Sequence, residues 1–91
     1  MRISEAKREK ISEQILAFLY EVSPKAIFTS HIAKEIARDE EFIKKMLLDL
    51  KSKKFVNEIK KNPAGEDYIK RSRWKLSDVA YSVYKQKQNR F

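Results

Sequence analysis

Asp39 to Val56 reads DEEFIKKMLLDLKSKKFV, and the spacing inside it decides what kind of molecule this is. Ile43, Met46, Leu47 and Leu50 recur at intervals of three and four, the period of one buried helical face. Asp39 is placed to cap that helix, and Glu40 and Glu41 occupy its first turn, where the helix dipole favours anions. The reading predicts a helix over 40–52. With Ile43 at the centre of the buried face, a step of about 100° per residue turns Glu41, Lys44, Lys45, Leu48 and Ser52 outward.

Upstream, Ile11, Ile15, Phe18, Leu19 and Val22 share one face of a helix predicted over 4–22. Ser23-Pro24 ends it, because the residue before proline is driven out of the helical region. A short apolar link, Ala26-Ile27-Phe28, leads to a second helix over 30–37, capped by Thr29 or Ser30 and carrying Ile32, Ala33, Ile36 and Ala37 inward. Downstream, Phe55-Val56 and Ile59 have strand character. Asn62-Pro63-Ala64-Gly65 then supplies a turn, with proline at its second position and glycine at a left-handed one. Tyr68, Trp74 and Leu76 follow on one face at period two, closing a hairpin over 55–76. Ser77 caps a last helix over 78–89, with Val79, Ala80, Val83 and Tyr84 expected on its inner face. The chain reads as one α+β, mostly helical domain over residues 1–91, in the order helix, link, helix, helix, strand, strand, helix.

Composition bounds the function. Ninety-one residues bury one modest core, and 42% hydrophobic with 37% charged residues and a single glycine favour helices over a β-sandwich. Without cysteine there is no disulfide framework, thiolate metal site or cysteine nucleophile, which fits a reducing compartment, the cytoplasm. The longest apolar run, Ile15 to Tyr20, falls far short of the ~20 residues of a membrane span, and no signal peptide is evident. The net charge of +8 is unevenly placed: residues 1–43 carry −1, residues 44–75 carry +7 and residues 76–91 carry +2. A polyanion is the natural partner of such a middle third, although a solvated lysine surface gives the same composition.

Two fragments in order make the pattern specific. Ile43, Leu47, Leu50, Lys54, Phe55 and Val56 fall at relative positions 0, 4, 7, 11, 12 and 13, and Trp74-Lys75-Leu76-Ser77 closes the hairpin. On these residues the chain resembles, over about residues 11–85, the winged helix-turn-helix DNA-binding superfamily. The likeness is to the small regulators of the arsenic-repressor and multiple-antibiotic-resistance types. The resemblance implies a transcriptional regulator, a repressor occupying an operator, with helix 40–52 in the major groove of double-stranded DNA and the wing on phosphates. It assigns groove contacts to Glu41, Lys44, Lys45, Leu48 and Ser52, and phosphate contacts to Lys60, Lys61, Lys70, Arg71 and Arg73 of the wing. Thr29, Ser30 and His31 at the start of the second helix join them.

It also implies a homodimer through the N- and C-terminal helices, using leftover apolar residues such as Leu16, Tyr20 and Tyr81. That pairing would set two recognition helices about 34–36 Å apart. The cytoplasm or nucleoid is the expected location, or host cytoplasm for a viral chain. Other readings are a nonspecific DNA- or RNA-binding winged helix and a winged-helix protein-interaction module.

Three departures from the family pattern matter. Glu40 and Glu41 bring carboxylates to the DNA-facing end of the third helix. Glu66 and Asp67 near the apex point to contacts along the sides of the wing. Lys54 stands where glycine is usual, so either that position is not left-handed or a strain of about 1 kcal/mol is tolerated. His31 has no second ligand for a metal, the adjacent carboxylates have no base or nucleophile beside them, and Trp74 belongs to the hairpin face. No enzyme, metal, cofactor or small-molecule effector site is expected.

Overall fold

The structure, a computed structural model, describes residues 4–60 and 72–88. Its elements are α1 (Glu5–Val22), β1 (Ile27–Phe28), α2 (Thr29–Ile36), α3 (Glu40–Ser52), β2 (Val56–Ile59), β3 (Arg73–Leu76) and α4 (Asp78–Gln88). Ser4 caps α1, accepting from the Lys7 amide at 3.3 Å, and the stripe Ile11, Ile15 and Leu19 is buried. Asp39 caps α3 through the Phe42 amide (3.3 Å), and Ser77 caps α4 through the Ala80 amide (3.1 Å).

The short link before α2 is a strand and not merely a connection. Ile27 pairs with Trp74 and Phe28 with Arg73, so the hairpin is completed to a three-stranded antiparallel sheet in the order β1-β3-β2. Val56 faces Leu76 and Glu58 faces Trp74 across the other ladder. Helices and sheet enclose one core, in which Ile15, Leu19, Ile32, Ile43, Leu47 and Trp74 are completely buried. Each such side chain contributes about 1.5–3 kcal/mol relative to exposure.

Three local expectations are corrected. Helix α2 starts at Thr29 with Phe28 at the cap position, and no side chain caps it. Thr29 is instead buried and accepts a hydrogen bond from Trp74 Nε1 at 2.7 Å, because the indole N–H, sealed in the core, requires an acceptor. Helix α2 also ends one residue early: Ala37 is exposed and left-handed (φ 60°, ψ 46°). On α4, Ala80 is buried and Tyr84 partly so, but Val79 and Val83 are 71% and 46% exposed. The ring of Tyr20 on α1 explains the difference. It packs against Tyr81 (5.3 Å between centroids) and Tyr84 (5.6 Å), which turns α4 so that the valines face out.

Candidate nucleic-acid interface

The turn between α2 and α3 sets how the third helix is offered. Ala37 in the left-handed region lets the Arg38 amide donate to the Ala33 carbonyl (3.0 Å) and the Ala37 amide to the Lys34 carbonyl (3.2 Å). This Schellman closure stops α2 abruptly and lets Asp39 open α3 two residues later. The same device ends α3. Lys54 has φ 67°, its amide donates to the Lys51 carbonyl (2.9 Å), and the Phe55 amide donates to the Leu50 carbonyl (2.9 Å). Of the two possibilities the sequence left at Lys54, the left-handed backbone is the one adopted.

Between these stops α3 has two faces. Ile43, Met46, Leu47 and Leu50 are buried, while Glu41, Lys44, Lys45, Leu48 (43% exposed) and Ser52 stand in solvent along one arc. The hydroxyl of Ser52 donates back to the Asp49 carbonyl (2.6 Å). Glu41 shares the first turn with Glu40, where both complement the helix dipole.

At the start of α2 the expected trio is divided. Thr29 is withdrawn into the core as the acceptor for Trp74 and is unavailable to a ligand. Ser30 and His31 are exposed; His31 Nε2 lies 3.8 Å from Glu35 Oε1, one turn on, and its ring centroid is 6.0 Å from that of Phe18. On the wing, Lys60 is exposed, whereas Arg73 on β3 is half-buried with its Nε closed off from solvent. Lys61, Lys70 and Arg71 lie outside the described residues, as do Pro63, Gly65, Glu66, Asp67 and Tyr68.

A polar cluster that sequence reasoning missed joins the helix to the wing. Glu58 on β2 accepts from Lys51 Nζ of α3 (Oε1, 2.8 Å) and from the Ser72 hydroxyl just before β3 (Oε2). Its side chain is only 7% exposed. Burial raises its pKa, but the bonds from Lys51 and Ser72 and the charges of Lys51 and Lys60 together outweigh that, leaving it below the ordinary carboxylate value. The available signal was period two: Glu58 lies two residues beyond Val56 and therefore on the same face of the strand. Among the described residues, no group of three or more His, Cys, Asp or Glu side chains stands ready to hold a metal. No helix among them is long and apolar enough to cross a membrane.

No protein-family profile matches the chain, and no curated protein does. Solved structures do match. MepR, a transcription regulator of the Staphylococcus aureus multidrug efflux pump MepA, superposes with a TM-score of 0.67 at 18% identity, over 84% of this chain and 52% of that one. A Lactococcus lactis ZitR variant in its apo form gives 0.70 at 19% identity, over 91% and 58%. The S. aureus MepR–DNA complex gives 0.69 at 16% identity, over 92% and 72%. The chain thus spans little more than half the length of the MepR and ZitR chains in the first two of these. From α1 to α4, the chain shares the winged helix-turn-helix fold of these MepR and ZitR structures.

Proposed function

We propose that the chain is a DNA-binding transcription regulator that represses by occupying an operator as a homodimer in the cytoplasm. The carrying observation is the exposed arc of α3. Lys44, Lys45 and Leu48 are held outward on a helix whose other face is wholly buried, so they are displayed on a rigid support. In this reading α3 enters the major groove, with the lysines on phosphate or guanine edges and Leu48 against a thymine methyl. Ser30, His31, Lys60 and the basic stretch through Arg73 engage the backbone on either side. One of the structures sharing the fold was solved bound to DNA, which supports the partner class.

The seam of the dimer is Val79 and Val83, an exposed apolar pair one turn apart on α4, with α1 beside it; Tyr20 and Tyr81 are engaged with each other within the chain. A gel-shift titration on duplex from upstream of the chain's own gene tests the function. Specific binding that weakens steeply with salt and drops on Lys44→Ala with Lys45→Ala is expected. Absence of binding at low salt would overturn it. The exposed carboxylates of Glu40 and Glu41 favour, as a second reading, sequence-independent binding; equal affinity for unrelated duplex would select it.

A further inference from the structure

On the core face of the sheet, apolar residues give way to polar ones at the end of β2 and just before the start of β3. Along β3, Leu76 and Trp74 are buried, and Ser72 is the next residue on that face; along β2, Val56 is buried and Glu58 is next. Lys51, in the last turn of α3, reaches across to Glu58. One carboxylate, almost wholly removed from solvent, is therefore held by donors from two other segments, at the rung just inside the last described pair, Ile59 with Arg73. An exposed ion pair constrains little, but a sequestered carboxylate must keep its donors or bear an unsatisfied charge, so its geometry is stiff.

We propose that Glu58 is a positioning residue: through Lys51 and Ser72 it fixes where Lys60 and Arg73, beside the cluster on β2 and β3, stand relative to α3, and thereby how many backbone phosphates these two engage while α3 lies in the groove. This deepens the proposed DNA-binding function and rests on it. The cluster acts on these contacts by holding the strand ends, without touching DNA. A residue needed only for stability would change the folded fraction and leave the number of phosphates per bound protein as it was.

The test is the dependence of log affinity on log salt concentration for the full chain on a labelled duplex from upstream of its own gene. It is measured for wild type, Glu58→Ala, Ser72→Ala and Glu58→Gln, with thermal melts establishing that each is folded at the assay temperature. Each phosphate lost lowers the slope by about 0.9. Glu58→Ala and Ser72→Ala are expected to lower it by about one to two units, with about tenfold weaker binding at low salt. Glu58→Gln, which keeps one acceptor oxygen for Lys51 and presents an amide N–H that the Ser72 hydroxyl oxygen can accept, should fall between them and wild type. If Glu58→Ala does not fold, Ser72→Ala and Glu58→Gln give the same reading. An unchanged slope in folded variants, with or without weaker binding, overturns the positioning role while leaving DNA binding intact. Failure of wild type to bind at low salt overturns the functional reading itself, and the role of Glu58 in it.

Discussion

Lys54 and Ala37 are the residues whose backbone works against their side chains. Both adopt left-handed φ values, 67° and 60°, that glycine reaches without a Cβ clash. Lys54→Gly and Ala37→Gly should each raise stability by about 0.5–1 kcal/mol, the relief of strain being partly offset by the greater freedom of an unfolded glycine. Denaturation midpoints measure this directly. Thr29 behaves in the opposite way. Thr29→Val preserves shape but strands the Trp74 N–H in the core, for an expected loss of about 1–3 kcal/mol in the same assay. A capping or phosphate-binding role at Thr29 was a fair reading of its local sequence. Its actual partner stands 45 positions away, where no local pattern reaches.

Among the elements, α3 was the most legible, since one amphipathic period, one aspartate cap and a first-turn pair of glutamates all agree on where it begins and which way it faces. Strand β1 was the least legible. Two residues carry no period, and Ile27-Phe28 is a strand only because β3 arrives to pair with it. The cluster of Lys51, Glu58 and Ser72 was hidden for a similar reason, as its members belong to three separate segments. Its charge gives the region a pH response. The carboxyl pKa of Glu58 is depressed in the folded state, so its contribution to stability is complete above the unfolded value of about 4.3 and fades as pH falls through the lower folded value. Replacing it by glutamine should flatten the acid side of a plot of unfolding free energy against pH, while a curve parallel to wild type would show that Glu58 is not the titrating group.

Over the whole molecule, charge was legible as a sum and not as a surface. The sequence placed +7 in residues 44–75, and α3 displays Lys44 and Lys45 from that stretch, yet Lys51 and Arg73 are drawn into internal contacts or partial burial. Assembly belongs to this scale too. Under the proposed homodimer, Val79→Glu with Val83→Glu puts carboxylates on the exposed stripe of α4 and should yield a folded monomer by sedimentation equilibrium. A variant that remains dimeric would place the seam elsewhere. The expectation that Val79 and Val83 face inward failed because helical spacing defines a stripe without saying which neighbour covers it.

The central position of β3 has a consequence for how the chain is made. Because β3 lies between β1 and β2 and carries Trp74 and Leu76 into the core, a chain growing from its N-terminus has all three main helices in hand before the strand that seals them exists. Until Trp74 clears the ribosome, Ile27 and Thr29 lack their partners. Fragments released before Trp74 is added should be degraded readily by proteases that spare released chains containing Leu76.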